Sequence, residues 1–256
     1  MIVEFRDKAL KYPKAVKKEK KRLVLDWLLE FQVSSFSLLA TRIGQNKTNA
    51  NRFFNALVNE QVILRFRDAH SIHSRCVMLR VEGVRYLKKL DREVEHAITR
   101  RVRLPRYSPV LHNLAVQTVI LKRLDKYKEV ISNRNIQLGD HWDRPDALLK
   151  LENKNREYWL ALQVVRWQWN EREVYLSFMS HINNMNEGHY VRVVFVFLSK
   201  EMCVFYEKLF SETSWPRYKR RVRSGLIDPL EGSLELDQAD ELRKHFTFKY
   251  EPVEIL

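Results

Sequence analysis

The sequence predicts an α+β / α/β chain in two parts: three helices and a β-hairpin, then an αβββαβ run of helices and strands. Three observations predict it. Charge divides the chain: residues 1–106 hold 24 Lys+Arg against 11 Asp+Glu, whereas residues 107–256 hold 22 against 21. Apolar residues recur at helical period through most of the first part and end in two β-rich runs around a polar tip. In the second part, apolar strand-like runs alternate with helical ones. The expected boundaries are 1–98 for the first domain, 99–110 for a basic linker, 111–225 for the second domain and 226–256 for an acidic tail.

The first helix is expected over 17–31. It opens with Lys-Lys-Glu-Lys-Lys-Arg and carries Leu23, Val24, Trp27, Leu28 and Phe31 on one face. Ser34 or Ser35 can cap a second helix, Phe36–Ile43, which Gly44 breaks. A third helix follows from about Gln45 to Gln61. Ala50, Phe53 or Phe54, Leu57 and Val58 face inward, while Gln45, Asn46, Lys47, Asn49 and Arg52 face outward. Amide and basic side chains in such a row suit base edges and phosphates. Val62–Arg67 and Cys76–Arg80 flank the tip Asp68–Ser71 as a hairpin, with Arg65, Arg67, His73 and Arg75 along it. Helix, helix, recognition helix, hairpin is the order of a winged helix-turn-helix. A further helix is expected from Val81 to about Ile98.

The linker Thr99–Pro109 holds Arg101, Arg103 and two prolines, and suits a phosphate backbone. Beyond it, Leu111–Leu124 reads as a helix, and Val130–Ser132, Pro145–Leu151 and Tyr158–Trp167 as strands. Glu171–Met185 reads as a helix and Val191–Leu198 as a buried, parallel strand. Ser199 caps the helix Lys200–Phe210. This αβββαβ order, with a helix after it, matches the core of the restriction-endonuclease-like fold.

Composition bounds the function. The net charge of +14, nearly all of it in residues 1–106, points to a nucleic acid partner. Double-stranded DNA suits the helical part. Single-stranded DNA suits Trp167 and Trp169, with Arg166 beside them, and the basic cluster Trp215–Arg223. No apolar run approaches the roughly 20 residues that span a bilayer. The basic start lacks a signal peptide's apolar region. No membrane contact and a cytoplasmic location are therefore expected. With six glycines there is no Gly-rich phosphate loop. Cys76 and Cys203 read as core thiols, and no ligand spacing supports zinc.

The stretch 143–169 carries the chemistry. Pro145-Asp146 opens one strand, and Gln163 interrupts the apolar run of the next. PD-(D/E)xK nucleases place an Asp on one strand and an acidic-x-Lys triplet on the next, with a Mg²⁺ or Mn²⁺ ion between them. Here Asp146 matches the aspartate, Gln163 stands at the acid and Val165 at the lysine. A neutral amide brings no charge to a hard cation. Lys150 lies four residues after Asp146 on the same strand face, so it is the cation that could reach in; Arg166 points the other way. The expected catalytic set is Asp146, Gln163 and Lys150, with Asp146 as metal ligand and cleavage impaired.

His112-Asn-Leu-Ala-Val116 and Arg144-Pro-Asp-Ala147, within this plan, resemble the replication-relaxation family, which includes MobC-type plasmid relaxases. The resemblance covers roughly residues 15–210. It implies binding or nicking of plasmid transfer or replication origins, beside other mobilisation or replication proteins. The alternative is a winged-helix transcriptional regulator whose C-terminal domain dimerises or binds a partner.

Overall fold

The computed structural model describes residues 13–67, 75–97, 99, 109–138, 144–154, 156–167, 169–221, 226–235, 241 and 244–253. The chain divides into two compact units, one within residues 1–124 and one within 125–253. The tip Asp68–Ser71, His73, and the linker arginines Arg101 and Arg103 lie outside the described residues.

The first unit runs α1 (Pro13–Phe31), β1 (Val33–Ser35), α2 (Phe36–Arg42), α3 (Lys47–Asn59), β2 (Ile63–Arg67), β3 (Arg75–Leu79), α4 (Val81–Lys88) and α5 (Pro109–Leu121). The three strands pair antiparallel in the order β1-β3-β2. Strand β1 was not expected, because three residues are too few to show alternation. Ser35 both ends β1 and caps α2, its Oγ accepting from Leu38 N at 3.2 Å. Gly44, at φ 65°, turns the chain from α2 into α3, where a side chain would be strained.

Helix α4 stops at Lys88, ten residues short of the expected end. Asp91 turns left-handed at φ 55°, and Arg92 N reaches back to Leu87 O at 3.2 Å, closing the helix C-terminus. The start of α4 lies hard against the turn that leads into β2. A Cβ on Gly83 would come within 2.3 Å of Val62 O, so only glycine fits.

Helix α5 corrects the expected domain boundary. It belongs to the first unit, because Gln117 is fully buried and uses all of its amide there. Gln117 Oε1 accepts from Trp27 Nε1 at 2.7 Å and Ser34 Oγ at 2.6 Å. Its Nε2 donates to Val33 O and Asn113 Oδ1, both at 2.7 Å. Asn113 Nδ2 in turn donates to Phe31 O at 2.7 Å. These bonds tie α5 to α1 and β1.

The second unit holds β4 (Glu129–Ser132), β5 (Ala147–Asn153), β6 (Arg156–Val165), α6 (Glu171–Asn186), β7 (Arg192–Phe197), α7 (Lys200–Phe210), β8 (Ser214–Arg220), β9 (Ile227–Glu235) and β10 (Phe246–Tyr250). Its five-stranded sheet is mixed, in the order β10-β7-β6-β5-β4. β4, β5 and β6 pair antiparallel, while β6, β7 and β10 run parallel. Asn170 and Glu173 form a capping box at the start of α6. One sheet face packs Leu148, Ala161, Val165, Val193, Phe195, Phe197 and Phe246 against Phe178 and Ile182 of α6 and Met202 and Tyr206 of α7. Phe178 is fully buried, edge-on to Tyr175, Phe195, Tyr206, Phe210 and Phe246.

The acidic tail is corrected too. Residues 227–235 pair with β8, and Phe246–Tyr250 completes the main sheet beside β7. Phe246 and Phe248 join the aromatic face, and that burial outweighs the segment's local acidity. No helix among the described residues is long and apolar enough to cross a membrane.

Candidate functional site

The proposed motif residues meet at one end of the second sheet. The pairing Ala147↔Leu162, carried one step outward, sets Asp146 across from Gln163, and Asp146 N donates to Leu162 O at 2.9 Å. Cross-strand partners share a face, with Cβ atoms about 5 Å apart. Gln163 pairs on its other side with Phe195, and Val165 with Phe197. The motif row therefore lies on the aromatic face beneath α6 and α7.

Each position has a clear physical environment. Asp146 is half-buried, and its Oδ2 accepts from Val164 N at 2.6 Å. The carboxylate thus completes the β5–β6 ladder at its end. Asn133 braces the approach to it, its Nδ2 donating to Pro145 O at 2.8 Å and Arg144 O at 3.2 Å. Gln163 is buried, and Val165 is 1% exposed within the core. An ammonium at 165 would have to be desolvated there, which accounts for the apolar residue.

Lys150 shares the Asp146 face, as strand alternation requires. Its Nζ is held by Glu157 Oε2 at 2.6 Å and lies 5.9 Å from the Trp159 ring centroid. The hydrogen bond to Glu157 raises the lysine pKa and lowers that of the glutamate. Four residues of strand separate Lys150 from Asp146, about 13 Å. The structure therefore does not bring Lys150 to the Asp146–Gln163 pair.

This donor set does not fit a Mg²⁺ or Mn²⁺ ion. It offers one carboxylate, already engaged by a backbone N–H, and one amide. Hard cations take six or more oxygens and want charged ones among them. No group of three or more metal-ligating side chains exists among the described residues. His181, on α6, is buried with its Nδ1 2.7 Å from Tyr190 Oη. Burial pushes its pKa down to about 3, so it is a neutral core residue. Cys203 is a buried free thiol whose pKa burial pushes up to about 11.

The second candidate surface is α3 and the neighbouring sheet. Asn46 is the N-cap of α3, its Oδ1 accepting from Asn49 N at 2.8 Å, so that oxygen serves the helix. The Gln45 side-chain oxygen is buried, turned away from the outward row expected for it. Asn49 and Arg52 are both exposed on the first turns of α3. Arg65 is exposed on β2 and stacks over Phe36, 5.6 Å from the ring centroid. Arg67 and Arg75 are register partners at the open end of β2 and β3. The side chains of Lys47, Arg67 and Arg75 lie outside the described residues.

Two features escaped the sequence reading. Arg42 lies mostly buried at the end of α2, its guanidinium 5.5 Å from the Trp27 ring, and burial lowers its pKa. Tyr250, at the end of β10, is 45% exposed. The alternation Phe246-Thr-Phe-Lys-Tyr250 was the available signal for that strand.

No protein-family model matches the chain, and no curated protein matches it. Among solved structures, the chain is similar to the restriction endonuclease FokI at 10% identity, over 74% of this chain and 40% of that one. It thus spans two fifths of that protein's length, and at a TM-score of 0.26 the likeness carries no argument.

Proposed function

We propose that this chain is a DNA-binding protein of plasmid or mobile-element mobilisation or replication. Its first unit grips duplex DNA as a winged helix. Its second unit is a nuclease-like platform with impaired cleavage that faces adjacent DNA or a partner protein. The observation that carries this reading is the exposure of Asn49 and Arg52 together on α3, within a segment of net charge +13 over residues 1–106. An amide and a guanidinium on the first turns of one helix suit base edges in a major groove. The element order α1-β1-α2-α3-β2-β3, with an antiparallel sheet, supports the winged-helix assignment.

Binding of the full chain to duplex DNA should weaken steeply with salt, as neutralised phosphates release counterions. At a preferred site, Asn49→Ala or Arg52→Ala should cost ~1–3 kcal/mol, while off-site binding changes less. Unchanged site affinity in both variants would overturn the reading. In a supercoiled-plasmid assay with Mg²⁺ or Mn²⁺, little or no cleavage is expected, because one engaged carboxylate and one amide make a poor cation site.

A second reading, a transcriptional regulator whose second unit dimerises or holds a partner, is favoured by two observations. Val165 is sealed in the core, and Lys150 is paired with Glu157 away from Asp146. A palindromic footprint without nicking supports the regulator; an asymmetric footprint beside a nick supports the relaxase-like protein.

A further inference from the structure

The three parallel strands of the second sheet end together, and an unusual set of side chains gathers at that edge. The register Val165↔Phe197 and Phe197↔Tyr250 puts the carboxyl ends of β6, β7 and β10 in one row. Trp167 follows β6 by two residues and is 42% exposed; Tyr250 closes β10 and is 45% exposed. Among the described residues these are the exposed aromatic side chains. Their strands lie two places apart in the sheet, roughly 10 Å.

Cationic groups accompany them. The Arg166 guanidinium lies 5.2 Å from the Trp167 ring centroid; its Nη1 is buried, so the cation backs the Trp167 ring rather than offering that donor to solvent. Partial burial lowers its pKa without neutralising it. Lys200, in the first turn of α7, is exposed at the same edge. Lys249, beside Tyr250, is tied to Glu251 at 3.4 Å.

An exposed aromatic ring costs hydration that packing elsewhere would recover; the other aromatics of this sheet are buried (Phe195, Phe197, Phe246) or partly covered (Tyr158, Trp159, Phe248). Two exposed rings at one edge, one of them beside a guanidinium, with Lys200 exposed at the same edge, fit planar rings linked by anions. The carboxyl ends of parallel strands are also where open α/β sheets seat their ligands. We propose that this edge of the second unit binds single-stranded DNA, with unpaired bases stacking on Trp167 and Tyr250, Arg166 backing the Trp167 ring and Lys200 meeting the phosphates. This rests on the reading of the chain as a DNA-binding protein and adds to it a site for melted strand, separate from the duplex-gripping face of α3. Stacking on an aromatic ring tolerates any base, so the site needs no sequence preference.

The test uses the full chain and two probes, fluorescein-labelled oligo(dT) and a labelled duplex, read by anisotropy at one salt concentration. Trp167→Ala and Tyr250→Ala should each weaken oligo(dT) binding by roughly 5- to 150-fold, the range for one stacked base. Trp167→Phe should keep most of the affinity. Both alanine variants should bind the duplex as the native chain does, and their thermal unfolding, followed by circular dichroism, should match it. Native-like oligo(dT) binding by both alanine variants overturns the proposal, as does an equal loss on both probes. A chain that binds duplex but no oligo(dT) overturns this site and leaves the proposed function standing. Binding of oligo(dT) through Trp167 without duplex binding does the reverse.

Discussion

Asp146 illustrates how one side chain can look catalytic in sequence and serve the backbone in the fold. Its Oδ2 satisfies the N–H of Val164, a residue that is itself 1% exposed. Asp146→Ala should therefore lower stability by roughly 1–3 kcal/mol, the cost of an orphaned buried N–H. Asp146→Asn keeps an acceptor oxygen and should lose less. Urea denaturation of the two variants checks this; equal midpoints for native, Ala and Asn proteins would show that the bond contributes nothing. Gln117 makes the same point with more partners. Gln117→Ala strands Trp27 Nε1, Ser34 Oγ and the carbonyl of Val33 together, each able to cost roughly 1–3 kcal/mol when left buried and unpaired. It should be among the most destabilising substitutions of the first unit by denaturant titration, more so than Leu114→Ala beside it.

Elements are fixed here by how closely their neighbours approach. The start of α4 meets Val62 O so closely that Gly83 leaves no room for a methyl group, and the same carbonyl accepts from Arg80 N at 3.0 Å. Gly83→Ala raises helix propensity, yet the contact must give way along backbone rather than a flexible side chain. We expect a net loss of roughly 1–3 kcal/mol, the usual cost of overpacking. A rise in melting temperature would show that α4 can shift outward freely. Asn46 shows a divided role within one element: as N-cap it sets where α3 begins, and so which residues, Asn49 and Arg52, stand exposed on its first turns.

Across the whole molecule, one pH dependence stands out. His181 is buried beside Tyr190, Phe195 and Phe246 and is held neutral, its pKa lowered to about 3 from the ordinary 6.5. Below pH 6.5 the unfolded chain takes up a proton at this residue that the folded chain refuses. His181 therefore favours folding fully above pH 6.5 and progressively less as pH falls from there towards 3. Replacing it with Gln, which does not titrate, should flatten the fall of the denaturation midpoint between pH 7 and 4 relative to the native chain. Parallel curves would show that His181 is not shielded from protonation in the fold.

Much of the element plan was legible because local signals agreed. The capped helix Lys200–Phe210 and the apolar run Arg192–Phe197 carry their start, stop and period within a dozen residues. Gln163 and Val165 were legible as departures from a motif, since chemistry alone says that neither can do an acid's or a lysine's work. What the sequence by itself determined is thus the local elements, the uneven charge and the residue types available at the motif. Only the tertiary structure decided that Leu111–Leu121 binds the first unit through Gln117, that Phe246–Tyr250 completes the second sheet, that Lys150 serves Glu157 and that Trp167 and Tyr250 stand exposed at one edge. The physical reason is range. Caps and periodicity act within a few residues, whereas a buried amide or an edge strand finds its partners dozens of residues away, where nothing local records which surface will be covered.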